Sequence, residues 1–263
     1  MKKWIFGLSI ILLLAGTFTF FTEKQKFTQK SNVLPAETSI ATPIPSPVAI
    51  KQSIVIRIND IPIRIAWAKV NPQEIELYSN LKDQKLSEEI KVNKSCSVLV
   101  NGGFYSEENT HLGLFIANFE TISETSQSTT RNGFLFIDSN EKLTISSAPP
   151  EITPKIALQS GPLLILNNEV LSLKINNDEP NRRVVAAKAF DNKLIFLAIY
   201  RDNSDFQGPM LGDLPEIINL FSEKTGINVV DAINLDGGIH SVFISNYIRL
   251  NELAHIGSYF CVK

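Results

Sequence analysis

The stretch SIVIRINDIPIRIAW, Ser53 to Trp67, sets the fold class. Apolar residues alternate with polar ones on both sides of Asn59-Asp60, two residue types that tolerate left-handed backbone, so the segment reads as a tight β-hairpin. Similar short runs recur downstream. Strands are expected at Glu74 to Tyr78, Ser97 to Val100, Gly113 to Ala117, Gly133 to Ile137, Leu163 to Leu166, Arg183 to Phe190, Lys193 to Tyr200 and Val229 to Ile233. Asn167-Asn168 and Asp191-Asn192 fall where turns between paired strands belong. Helices are few. Leu86 to Val92 is a short one, and Asp213 to Lys224 is better marked: Asp213 as cap, Pro215 in the first turn, Ile217, Ile218 and Phe221 on one face, and Gly226 past the end. The expected class is α+β, a strand-rich mixed-sheet body with few helices in a single domain.

Upstream of the hairpin the composition changes. Residues 22–50 carry Pro35, Pro43, Pro45 and Pro47 among Ser, Thr and Ala, which reads as a linker with little to bury. Residues 1–21 open with Lys2-Lys3 and run apolar from Trp4 to Phe21, as an export element does. The run ends in Thr17-Phe18-Thr19-Phe20-Phe21, a poor cleavage site, so the expectation is an uncleaved membrane anchor with everything after it extracytoplasmic; cleavage would instead secrete the domain. The folded domain is then residues 51–263.

The first 50 residues hold five Lys and two Glu, leaving 20 basic and 25 acidic groups in the domain, a formal charge of −5. That excludes nucleic acid as the main partner. The cysteines are Cys96 and Cys261. Outside the cytoplasm they could form a disulfide closing a long loop; otherwise they are two small buried apolar residues. No His-x-x-x-His, Cys pair or close Asp-x-Asp set gives a metal site by spacing, no cofactor is expected, and a divalent-ion requirement is left open.

Five of the eleven glycines after residue 50 sit in three clusters: Asn101-Gly102-Gly103-Phe104-Tyr105, Gln159-Ser160-Gly161-Pro162 and Asn234-Leu235-Asp236-Gly237-Gly238. Each abuts an apolar strand-like run. Glycine there lets backbone approach a ligand closely, and exposed amides can hold an anion. Singly, each reads as an ordinary turn.

In order, Val100 to Tyr105, Ala157 to Pro162, Arg183-Val184-Val185 ahead of a hairpin, and Ala232 to Gly238 resemble the phosphodiester glycosidase domain family over roughly residues 53–262. Two departures stand out. Ala186-Ala187-Lys188 replaces a glycine common after the arginine, and His240 followed by Ser241 stands where the family commonly has serine two positions after the second Gly.

The resemblance implies a hydrolase that cuts between a sugar anomeric carbon and a phosphodiester oxygen. A phosphate monoester, with a second pKa of about 6, leaves without the protonation that an alkoxide needs, so one carboxylate plus anion donors can suffice. Asp236 is the expected base, nucleophile or stabiliser of oxocarbenium charge. Asn101 and Arg183 are expected to hold sugar and phosphate oxygens, Arg183 through its planar fork. Gly102, Gly103, Gln159, Ser160, Gly161, Gly237 and Gly238 are candidate binding residues as parts of the clusters, Ser241 is one because it adjoins the family's serine position, and Arg201 is a second anion donor. His111 and His240 are candidates because they lie in or beside the motif loops. Glu107, Glu108, Asp202 and Asp205 read as solvated loop charges, with a second acid or base as their alternative role. The expected substrate is a glycosyl phosphate or related carbohydrate of the cell envelope. The alternatives are a glycosidase acting on peptidoglycan or exopolysaccharide, and a non-catalytic glycan-binding module.

Overall fold

The computed structural model describes residues 52–263; the expected anchor and the linker lie outside them. The strands are β1 (Ser53–Ile58), β2 (Ile61–Val70), β3 (Ile75–Ser79), β4 (Val98–Asn101), β5 (Phe115–Ala117), β6 (Glu120–Ser123), β7 (Gly133–Ile137), β8 (Leu143–Ser146), β9 (Ile156–Ser160), β10 (Leu163–Leu166), β11 (Glu169–Val170), β12 (Arg183–Ala189), β13 (Leu194–Arg201), β14 (Val229–Asn234), β15 (Phe243–Ile244), β16 (Arg249–Leu250) and β17 (Ser258–Val262). Two α-helices accompany them, α1 (Ser87–Lys94) and α2 (Leu214–Thr225). They form three sheets, in strand orders β1-β2-β13-β12-β14-β10-β11, β16-β15-β4-β17-β3 and β6-β5-β9-β7-β8. The body is α+β and strand-rich, as the alternation predicts.

The seven-stranded sheet is the spine. In β13, Phe196 and Ala198 face one core with Val184 and Ala186 of β12, while Ile195, Leu197 and Ile199 face another with Val185 and Ala187. A strand covered on both faces needs no polar alternation, which explains the unbroken run LIFLAIY. The first core lies between this sheet and the two smaller ones, where Leu135, Leu158 and Phe260 meet Phe196. The second is closed by α2, whose Phe221 ring meets Trp67 edge-on at 5.3 Å.

The turns follow their residues. Asn59 and Asp60 take φ of 47° and 65°, and Asn167 and Asn168 take 53° and 65°, so both two-residue hairpins have the left-handed pair that matches strand twist. Gly226 ends α2 at φ 72°. Asp213, however, does not cap α2: it has helical φ and ψ and no side-chain capping bond, because a 3₁₀ turn at Leu211–Asp213 leads into the helix. The amides of Leu211 and Gly212 donate instead to Asp178, at 2.9 and 2.8 Å, so the cap comes from a distant loop. Cys96 and Cys261 are bonded across 165 residues, with Cα atoms 5.3 Å apart, joining the entry to β4 with its neighbour β17. None of the helices among the described residues is long and apolar enough to cross a membrane.

Candidate active site

The ends of strands from all three sheets meet at one place. β14 stops at Asn234, and its carbonyl accepts from the Gly161 amide at 3.1 Å and from the Ser160 hydroxyl at 2.7 Å, at the end of β9. The Asn234 side-chain amide returns a bond of 3.0 Å to the Gly161 carbonyl. Two residues on, the Asp236 amide donates to the Gly102 carbonyl just past β4, and the Gly238 amide donates to the Arg182 carbonyl just before β12. The three glycine clusters thus lace one junction. Glycine is required there by contact: a Cβ on Gly161, which has φ 151°, would stand 2.3 Å from the Thr130 carbonyl oxygen.

Asp236 opens onto a cleft of about 300 Å³ with Phe104, Arg131, Asn181, Arg183, Asn234 and the two glycines that follow it. Its Oδ1 accepts from the Gly237 amide at 2.9 Å. Removal from water pushes the carboxyl up from 3.8 to about 6, against the opposing pull of His240 and that amide. It is the one carboxylate lining the cleft. Asn234 lines the cleft as well, and its Oδ1 is buried with no hydrogen-bond partner.

The other candidates divide between surface and scaffold. Arg183 lines the cleft, but its guanidinium is shared with the Asp178 carboxylate at 3.1 Å and with the Glu179 carbonyl, and burial lowers its pKa. Asn101 is buried behind Asp236: its amide nitrogen donates to the Asp236 carbonyl at 2.8 Å and its oxygen accepts from the Val242 amide at 2.8 Å. In this arrangement Asn101 fixes the chain around the acid. Ser241 is likewise buried, donating to the Gly238 carbonyl and accepting from Arg182 Nε, each at 2.6 Å. Arg182, ahead of β12, is fully enclosed and donates as well to the carbonyls of Asp205, Ser241 and Asn251, so it holds the loop after Gly238. Gly102 packs against Ser258, and Gly103 against Leu158.

His240 sits behind Asp236 with Tyr105. Its Nδ1 lies 2.9 Å from the His255 carbonyl oxygen, which can only accept, so Nδ1 carries the hydrogen. The Tyr105 hydroxyl, 3.0 Å from the same nitrogen, donates to that carbonyl at 2.8 Å, and burial followed by the Asp236 charge raises its pKa. His111 and Arg201 are elsewhere. His111 stacks on Phe115 and meets the Ser79 hydroxyl in a separate cleft, and burial holds its pKa down to about 4. Arg201 binds the Gln207 side chain.

Gln159 faces a second cleft that adjoins the first. Its Oε1 accepts from the amides of Leu114 and Ser126, and its Nε2 donates to the carbonyls of Ser126 and Arg131. It therefore clamps the 126–131 loop, which brings Arg131 into the site. Arg131 is absent from the sequence-based candidates because its neighbours, Thr129-Thr130 and Asn132-Gly133, look like an ordinary polar turn. Asn234 and Tyr105 could have been found, since both stand inside the glycine clusters. No group of three or more His, Cys, Asp or Glu able to hold a metal occurs among the described residues.

The phosphodiester glycosidase family model matches residues 94–262, and the chain belongs to that family. Its fold is shared with the catalytic domain of zebrafish N-acetylglucosamine-1-phosphodiester alpha-N-acetylglucosaminidase, solved auto-inhibited by its pro-peptide, at TM-score 0.62 and 16% identity over 80% of this chain and 81% of that one. A Synechocystis protein gives TM-score 0.55 and 13% identity over 80% of this chain and 61% of the other. A protein of Burkholderia pseudomallei described as exported gives 0.53 and 10% over 77% and 74%. A search of curated protein sequences finds no match.

Proposed function

We propose that the protein is an exported hydrolase that cleaves the bond between a sugar anomeric carbon and a phosphodiester oxygen, on a glycosyl phosphate of the cell envelope. Membership of the phosphodiester glycosidase family supports the reaction class. The observation that carries the reading for this chain is the cleft with a single carboxylate, Asp236, beside arginines. An alkoxide leaving group calls for a second carboxyl to protonate it; a phosphate monoester does not.

In the proposed reaction water attacks the anomeric carbon, the carbon–oxygen bond breaks, and the phosphate monoester departs with the bonding electrons. Asp236 takes the proton of the attacking water. A carboxyl near 6 is ionised at neutral pH yet more basic than an ordinary Asp, which suits a general base. Asn101 and the Gly237 amide hold it in place. The Cys96–Cys261 bond supports an oxidising, extracytoplasmic location, which the N-terminal sequence also favours.

The reading is tested with full-length protein on a methyl phosphodiester of N-acetylglucosamine-1-phosphate and on the p-nitrophenyl glycoside of the same sugar. Turnover of the phosphodiester, cut about 10²- to 10⁴-fold in Asp236→Asn, is the expected result. Equal activity in wild type and Asp236→Asn would remove Asp236 from the chemistry.

A further inference from the structure

Arg131 lines both the cleft beside Asp236 and the adjoining cleft of about 590 Å³. Its guanidinium makes no ion pair and no hydrogen bond with any described residue, and its Nε is buried without a partner. Arg183 also has a buried, unpartnered Nε, but one of its terminal nitrogens is tied to Asp178 and the Glu179 carbonyl, and Arg182 is enclosed by carbonyls, so among the described residues Arg131 is the arginine beside Asp236 whose whole guanidinium is uncommitted. A buried donor without an acceptor is costly, and an anion supplies the missing acceptor. In a domain of charge −5, an anionic ligand also needs an unneutralised cation at its seat.

The position of Arg131 is built, not incidental. Its amide donates to Ser128 Oγ at 3.0 Å and its carbonyl accepts from Gln159 Nε2 at 2.9 Å. The next residue, Asn132, accepts from the Leu163 amide at 2.9 Å, and Gly161 lets the 130–132 backbone lie against it. Such fixed backbone reduces the ordering cost of binding. Beyond Arg131 the second cleft is walled by the side chains of Ser126, Ser128, Thr129 and Ser147, with Phe134 beside them. That lining offers donors and acceptors for hydroxyl groups.

We propose that Arg131 binds the phosphoryl oxygens of the substrate at the junction of the two clefts, and that the second cleft receives a hydroxyl-rich group, a polyol or sugar, esterified on the far side of the phosphate. The proposal rests on the hydrolase reading and adds to it the phosphate-side half of the substrate. It assigns the anion to Arg131, with Arg183 holding the wall of the first cleft.

The test measures binding of three phosphate monoesters to the full-length protein by calorimetry: glycerol 3-phosphate, methyl phosphate and hexyl phosphate. Glycerol 3-phosphate should bind more tightly than the other two. Arg131→Gln should weaken it about 10-fold or more, the scale of a charge-assisted contact, while Arg131→Lys, which keeps the charge and loses the fork, should fall between. Unchanged melting of the variants shows that the fold survives, and Arg131→Lys serves if Arg131→Gln does not fold. Equal affinity in wild type and variants, absence of binding by all three esters, or tightest binding of hexyl phosphate would overturn the proposal. The two readings fail separately: binding that depends on Arg131 without glycosyl phosphodiester turnover defeats the hydrolase assignment alone, and turnover indifferent to Arg131 defeats this one alone.

Discussion

Asp236→Asn should make the protein more stable as it makes it inactive, and the gain should depend on pH. The fold raises the carboxyl from 3.8 to about 6 by withdrawing it from water, so the folded protein holds this proton more tightly than the unfolded chain does. A raised carboxyl pKa contributes stability that is fully present below about 3.8 and is lost as pH rises through about 6. At pH 7.5 the wild type therefore carries the whole cost of an ionised group in a poor solvent. The difference, about 2 units at about 1.36 kcal/mol each, sets that cost at about 3 kcal/mol. Asparagine removes the charge and keeps an oxygen for the Gly237 amide. For a domain of this size the gain corresponds to roughly 6–12 °C in Tm at pH 7.5, shrinking towards zero near pH 4. Thermal unfolding of both proteins at pH 4, 6 and 7.5, followed by circular dichroism, reads it directly. A variant no more stable than wild type at pH 7.5, or one whose advantage is the same at every pH, would refute the account of Asp236 as a strained, desolvated base.

Three further outcomes follow from specific contacts. Asp178→Ala leaves the largely buried Arg183 guanidinium without its carboxylate and the Leu211 and Gly212 amides without their acceptor, and should cost about 2–4 kcal/mol in urea unfolding. Reduction of Cys96–Cys261, or the double serine variant, releases a 165-residue separation and should lower stability by about 3–5 kcal/mol; an unchanged Tm in dithiothreitol would contradict it. Gly161→Ala forces a side chain into φ 151° and against the Thr130 carbonyl, so it should destabilise by about 2 kcal/mol or more and raise KM by displacing the loop that carries Arg131. If KM stays at the wild-type value in a folded Gly161→Ala protein, the loop does not shape the site.

The strand-rich body was legible because its signals are local. Asn59-Asp60 announces a hairpin, and Gly226 announces the end of α2, without reference to the rest of the chain. The fully covered β9 was not assigned from sequence: Ile156–Ser160 is short, and its burial comes from two neighbouring strands that only the fold supplies. Cap and ion-pair partners were hidden for the same reason. Asp178 accepts from the amides of the 3₁₀ turn that leads into α2, 33 residues away from Leu211, and nothing around Asp178 marks it. At the site, glycine clusters identified the junction, since close backbone approach demands glycine there. They did not say which side chains would face the cleft. Asn101 lies within a cluster and Ser241 just past one, yet both have every side-chain polar atom engaged by protein, while Arg131 lies outside them and has an unpartnered guanidinium. Residue type reports what chemistry is available, and only the hydrogen-bond inventory reports what is already used.

The central claim is that the bond cleaved is the one between sugar carbon and phosphate oxygen. It is tested most directly by hydrolysing the methyl phosphodiester of N-acetylglucosamine-1-phosphate in water enriched in oxygen-18 and weighing the methyl phosphate by mass spectrometry. Attack at the anomeric carbon leaves all the phosphate oxygens as they were in the substrate, so the account requires unlabelled methyl phosphate. One heavy oxygen in the methyl phosphate would mean attack at phosphorus, and would contradict the glycosidase assignment outright.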